Sequence, residues 1–184
     1  MASATSGEPA GTTLGVSIPV PEPHGLELQA RRASFGDKLA ECVPAHITLL
    51  GPTEVVEEDL APLVAHLEQA AAEVAPFTVV LRGTGTFRPV SPVVFVQVSD
   101  GISACERLEE AIRSGPCDGE LPFPYHPHVT IAHDVCDAAL DRAYEEMAGY
   151  TATFSVRDFH LYEQDVKGTW VPVRRFELAG DGER

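Results

Sequence analysis

The sequence predicts an α+β fold: two small, mainly antiparallel sheets in a bilobal pseudo-twofold duplication, with helices on the outer faces and a central cleft. Three observations predict it. Strand and helix patterns alternate along the chain and close on an antiparallel hairpin. The chain divides into two halves of similar plan: strand, helix, strand, helix, strand pair. A tetrapeptide of the form His-x-Thr-(Leu/Ile) occurs once in each half, as His46-Ile47-Thr48-Leu49 and His128-Val129-Thr130-Ile131, 128 − 46 = 82 residues apart. Two copies arise by chance about once in a thousand shuffles of such a composition. Outside the tetrapeptide the halves share little sequence, the mark of a degenerate duplication.

The elements follow in chain order. Residues 1–13 are small, polar and turn-forming and read as a disordered lead-in. Residues 14–20 read as a strand stopped by Pro21-Glu22-Pro23, and 26–35 as a helix. Residues 45–50 form the first motif strand, closed by Gly51-Pro52. Leu60, Leu63, Val64, Leu67, Ala71 and Val74 keep the three-and-four spacing of an amphipathic helix, with His66 on its exposed polar side. Residues 77–81 alternate and are β-branched, and 93–98 repeat the pattern after a Pro-rich turn. Ile102, Cys105, Leu108 and Ile112 mark a further helix. Residues 114–125, rich in Gly and Pro, are a loop that delivers the chain into the second motif strand. Asp137 is placed to cap a helix running to about Met147. Residues 151–162 and 169–178 read as a final pair of long strands turning around Lys167-Gly168. Residues 14–178 thus make one bilobal domain, with 179–184 as a C-terminal tail.

Bulk properties narrow the function. The formal net charge is −15, from 13 basic and 28 acidic residues. An extended nucleic-acid surface needs clustered Lys and Arg, so it is excluded; a small nucleotide or an RNA end in a local pocket is not. Cys42, Cys105, Cys117 and Cys136 lack metal or disulfide spacing and read as free thiols in a reducing compartment. The sequence contains neither a membrane-spanning run nor the charged and apolar regions of a signal peptide, so the expected location is cytoplasmic. A monomer is the simplest expectation.

The motifs carry the chemistry. A strand sends residues i and i+2 to one face. Each motif therefore presents an imidazole and a hydroxyl together, while Ile47 and Leu49, or Val129 and Ile131, are buried. Two such strands side by side surround a cleft with two histidines and two hydroxyls. That set suffices for acid–base chemistry on a phosphate without metal or cofactor. His46 and His128 are the expected catalytic pair, because in-line displacement needs a base on the attacking oxygen and an acid on the leaving oxygen. Thr48 and Thr130 are expected to donate to phosphate oxygens. Tyr125, Phe87 and Trp170 are candidates to stack on a base, Phe87 more in keeping with packing. Arg88, Arg174 and Arg175 are candidate phosphate partners. His126 reads as a loop residue near the cleft. His133 has the wrong parity for the cleft unless the strand end twists it back. His126-Pro127-His128 resembles a metal-ligand pair, but no third ligand at convincing spacing completes it.

His46-Ile47-Thr48-Leu49-Leu50-Gly51-Pro52 and Pro127-His128-Val129-Thr130-Ile131-Ala132 resemble the paired motifs of the 2H (two-histidine) phosphoesterase superfamily, in its 2′-5′ RNA ligase or RNA 2′,3′-cyclic phosphodiesterase branch. The stretch from Leu161-Tyr162-Glu163 to Phe176-Glu177-Leu178 is similar to the family's terminal hairpin. The resemblance covers nearly the whole chain, from Leu14 to Leu178. It implies a metal-independent enzyme that opens 2′,3′-cyclic phosphates to 2′-phosphates, or makes and breaks 2′-5′ linkages, on small nucleotides or RNA 3′ ends. One departure stands out: the family often carries an Arg where this chain has His133, so a permanent cation is replaced by a group only partly charged at neutral pH. A non-catalytic module that binds a phosphorylated ligand on the same fold is the alternative, and the intact motifs weigh against it.

Overall fold

The computed structural model describes residues 11–116, 121 and 123–181. Eight strands form two four-stranded sheets, ordered β2-β1-β7-β8 and β5-β4-β3-β6. The strands are β1 (Thr12–Pro19), β2 (His46–Val55), β3 (Phe77–Thr86), β4 (Val93–Asp100), β5 (His128–His133), β6 (Thr151–Val156), β7 (Asp158–Gln164) and β8 (Trp170–Glu177). Every neighbouring pair is antiparallel. The helices are α1 (His24–Ser34), α2 (Glu57–Glu73), α3 (Ile102–Arg113) and α4 (Asp137–Glu146), with a short 3-10 turn at Lys38–Glu41.

Burial follows position in the sheet. β1, next to the edge strand β2, carries the unbroken buried run Leu14-Gly15-Val16-Ser17-Ile18. β6, at a sheet edge, alternates, burying Ala152, Phe154 and Val156 and exposing the residues between. Ile47, Leu63, Leu67, Leu81, Leu108, Ile112, Ile131 and Leu140 form the centre of a core shared by both sheets.

The lobes are not the two halves of the sequence. β3, from the first half, lies between β4 and β6; β7, from the second, lies beside β1. The first half gives one strand, β3, to the other lobe, and the second gives two, β7 and β8. α1 likewise touches β5, and α3 touches β2, so each packs on the motif strand of the opposite lobe. The motif strands β2 and β5 are sheet edges, yet they meet at the centre of the molecule.

Several boundaries differ from those expected, each for a physical reason. β1 already begins at Thr12, inside the expected lead-in; residues 1–10 lie outside the described residues. β2 runs on through Gly51-Pro52 to Val55, because an edge strand tolerates a Pro at a register shift, here between Leu14 opposite Thr53 and Val16 opposite Leu50. β3 extends to Thr86 across two glycines. Gly83 has φ +71° at a shift in the ladder, and a Cβ on Gly85 would lie 2.5 Å from the Phe95 ring. The expected long strand over 151–162 is two strands, broken at Arg157, with β6 in one sheet and β7 in the other. Asp137 is the first residue of α4, and Cys136 stands at the cap. Ala179 and Gly180, expected in a tail, donate backbone N–H bonds to the Ala71 and Val74 carbonyls; 182–184 lie outside the described residues. His66 is half-buried, its Nε2 hydrogen-bonded to the Ala111 and Ile112 carbonyls at the end of α3. The expected loop over 114–125 lies partly outside the described residues, at 117–120 and 122, Cys117 included. Cys42, Cys105 and Cys136 are free thiols, and burial raises the Cys105 thiol to about 12.

Candidate functional site

The two motif strands share one irregularity. On β2, Leu50 faces Val16 and Thr48 faces Ser17, which leaves Leu49 as an extra residue. On β5, Ala132 faces Val94 and Thr130 faces Phe95, which leaves Ile131 as the extra residue. Each is a β-bulge just after the motif threonine. A bulge shifts the alternation by one, so two successive residues are buried and the next returns to the original face. Both strands accordingly open with the same burial sequence, half-buried His and Thr flanking a buried residue, two buried residues, then a half-buried one. The last position holds Gly51 on β2 and His133 on β5. His133 therefore shares the cleft face with Thr130, despite its parity in a regular strand.

The histidines are held alike. His46 Nδ1 donates to the Pro44 carbonyl at 2.7 Å, and His128 Nδ1 to the His126 carbonyl at 2.7 Å. A carbonyl only accepts, so Nδ1 carries the proton and Nε2 is the basic nitrogen in the neutral ring. His46 Nε2 accepts from the Thr48 hydroxyl at 3.2 Å. The His128 ring lies 5.0 Å from both the Phe87 and Phe95 rings, centroid to centroid. His126 stacks 6.3 Å away at 21°.

This environment disfavours charge on either imidazole. Burial pushes His46 below 6.5 against the pull of the Pro44 carbonyl, and the Arg32 guanidinium lowers it further. Burial pushes His128 down to about 4, opposed by the His126 carbonyl and assisted by the rings of His126 and His46. Of the two motif histidines, His46 thus adds to the disfavouring of charge on His128.

A cavity of about 310 Å³ opens beside His46, while His128, set against Phe87 and Phe95, is not among its wall residues. Its wall includes His46, Thr48, Thr130 and His133 from the motif strands, Arg32 from α1, and Tyr162 and Trp170. Trp170 lies against Gly15, where a Cβ would stand 3.0 Å from the indole ring. Arg32 and Tyr162 are wall residues that sequence reasoning missed; Arg32 is the charged one. It is 5 % exposed, and its Nε donates to Asp37 Oδ2 at 2.7 Å. The same carboxylate accepts the His133 backbone N–H at 3.0 Å and, through Oδ1, that of Leu39 at 2.9 Å. The available signal was weak: Arg32 and Asp37 flank a helix end five residues apart, and their burial follows only from packing against β5.

Four expected substrate contacts are engaged elsewhere. The Tyr125 hydroxyl donates to the Thr48 carbonyl at 2.9 Å, and burial raises its pKa well above the usual phenol range. Tyr125 ties the approach to β5 onto β2 and is absent from the cavity wall. Arg88 pairs with Asp141 of α4 at 2.8 Å and is also off the wall. Arg174 pairs with Glu68, and Arg175 with Asp158 and Glu177. Among the described residues, no three of His, Cys, Asp and Glu converge as metal ligands, and no helix is long and apolar enough to cross a membrane.

Known proteins resemble this chain in sequence and in fold. A family model described as the 2′-5′ RNA ligase superfamily matches residues 20–168. A Geobacillus kaustophilus protein bearing the name "Putative phosphoesterase GK0864" is 31% identical over 140 residues, 75% of this chain and 80% of that one. A Bacillus cereus (strain AH187) protein named in the same way is 32% identical over 141 residues, 74% of this chain and 80% of that one. Among solved structures, Escherichia coli LigT complexed with 3′-AMP superposes with a TM-score of 0.68 at 20% identity, covering 92% of this chain and 99% of LigT. LigT has also been solved with NADP+, phosphate and ATP. TT0787 of Thermus thermophilus superposes with a TM-score of 0.65 at 26% identity, covering 92% of this chain and 100% of that one.

Proposed function

The chain belongs to the 2′-5′ RNA ligase superfamily, and from that premise we propose that it is a metal-independent phosphoesterase that hydrolyses 2′,3′-cyclic phosphates on small nucleotides or RNA 3′ ends. The observation that carries the reading is the matched pair of imidazoles, each with Nδ1 tied to the carbonyl two residues back. That bond fixes the tautomer, so each ring offers Nε2 to the substrate. One Nε2 takes the proton of the attacking water. The other, protonated, gives its proton to the departing ribose oxygen, and the ring opens to a phosphomonoester. The two roles exchange in the reverse, linkage-forming direction.

The threonines complete the chemistry. The Thr48 hydroxyl donates to a neutral His46. When His46 Nε2 is protonated, that nitrogen becomes the donor, and the Thr48 hydroxyl, keeping its proton, is free to donate a hydrogen bond to a non-bridging phosphate oxygen. Thr130 occupies the equivalent place on β5, and its hydroxyl is assigned the same role. Such donors, fixed before the reaction, stabilise charge that grows in the transition state. Trp170 and Tyr162 give the cavity an aromatic side suited to a nucleoside. The nucleotides and phosphate held by LigT agree with a ligand of this size.

The pH dependence follows from the depressed histidines. Catalysis needs one imidazole neutral and one protonated, while both ionise below 6.5 in the free protein. The kcat/KM profile is expected to be bell-shaped with its optimum on the acid side of 6.5, and to fall as the acid loses its proton at higher pH. The reading is tested by incubating a panel of 2′,3′-cyclic nucleotides and a short RNA ending in a cyclic phosphate, with EDTA present. Phosphorus NMR then reads the product. Opening to a 2′-phosphate is expected. A well-folded protein that turns over none of them across the histidine pH range would overturn it.

A further inference from the structure

Arg32 has no part in the acid–base scheme, yet it is buried at the wall of the same cavity. We propose that Arg32 is the phosphate-binding cation of this site, its guanidinium fixed by Asp37 and its two Nη groups directed at the non-bridging oxygens of the substrate; this rests on the phosphoesterase reading.

Three observations support it. Of the five N–H donors on a guanidinium, only the one on Nε has a protein partner among the described residues, Asp37 Oδ2 at 2.7 Å. The Nη groups are not among the buried atoms left without a partner, and Arg32 lines the cavity. The remaining edge is the fork that matches two oxygens of a phosphate. Second, among the described residues of the wall Arg32 is the one permanent charge, and that charge is positive. In a chain of net charge −15, a phosphate needs such a local attraction to enter. Third, the orientation is built in. Asp37 is 4 % exposed and also accepts the His133 and Leu39 backbone N–H groups, so the carboxylate that holds Arg32 is itself held by β5 and by the 3-10 turn. A cation whose only task was to neutralise Asp37 would have no reason to present its other edge to a cavity shared with His46, Thr48 and Thr130.

The test compares wild type, Arg32→Gln and Arg32→Lys by titration calorimetry with inorganic phosphate and with adenosine 2′-monophosphate, alongside thermal unfolding. Arg32→Gln is expected to weaken both ligands by about 10- to 100-fold, and Arg32→Lys by about 3- to 10-fold because it keeps the charge and loses the fork. Folded Arg32→Gln that binds both as tightly as wild type would overturn the proposal. Should Arg32→Gln fail to fold, Arg32→Lys decides alone: unchanged phosphate affinity overturns it. Wild type that binds neither ligand overturns it as well. Phosphate binding that depends on Arg32 in a protein without cyclic-phosphate turnover would uphold Arg32 and reject the phosphoesterase reading, so the two failures are distinguishable.

Discussion

His46 and His128 each donate Nδ1–H to a carbonyl two residues back, and burial holds each imidazole below its ordinary pKa. Such groups link stability to pH in a fixed direction. The unfolded chain takes up these protons near pH 6.5, whereas the folded protein resists until lower pH, about 4 for His128. Between those values the unfolded state binds more protons, so stability rises with pH. The contribution is complete above pH 6.5 and is lost as pH falls through the folded pKa. Urea unfolding of His128→Gln is expected to show a shallower dependence than wild type between pH 4 and 6.5; an identical slope would remove His128 as a source. The histidines and threonines are legible in the sequence because a strand's period of two puts them on one face. Arg32 is not, because its role depends on helix α1 lying against β5, which no local pattern encodes.

The matching bulges on β2 and β5 decide what enters the cleft after each threonine. A regular strand would direct His133 away; the extra residue Ile131 returns it. Periodicity locates a strand but not an inserted residue, so His133 could be placed only with the ladder known. For the same reason 151–162 reads as one strand: both pieces alternate, and only pairing reveals that the chain changes sheet at Arg157. Tyr125 gives a test of how the elements join. Its hydroxyl bond to the Thr48 carbonyl ties the approach of β5 to β2, and Tyr125→Phe is expected to cost about 1 kcal/mol of stability, read by denaturant unfolding. A purely stacking Tyr125 would keep its ring in that variant and lose nothing. Gly85→Ala tests the wall behind His128. A Cβ there meets the Phe95 ring at 2.5 Å, so about 1–3 kcal/mol of destabilisation is expected, with a shifted His128 environment visible by NMR.

At the scale of the molecule, the α+β class, the duplication and the central cleft are legible from the repeated motif and the order of elements. The exchange of strands between lobes is not, since it is a property of long-range pairing. It has a consequence for folding. A fragment ending near Val90 would contain β3 without β4 and β6, and β1 without β7. Short sheets of this kind are not stable alone. The fragment is expected to be unfolded by circular dichroism and to gain structure only when the complementary fragment is added; a cooperative thermal transition in the isolated piece would contradict the interlocked architecture.

The two-histidine mechanism is tested most directly by single-turnover hydrolysis of a 2′,3′-cyclic nucleotide by wild type, His46→Ala, His128→Ala and the double variant, with EDTA present and folding verified. The account predicts that each single variant is slower by about 10²–10⁴-fold, and that the double variant is far less impaired than the product of the two losses, because the imidazoles act as one unit. A folded variant lacking either histidine that keeps nearly the wild-type rate would contradict it.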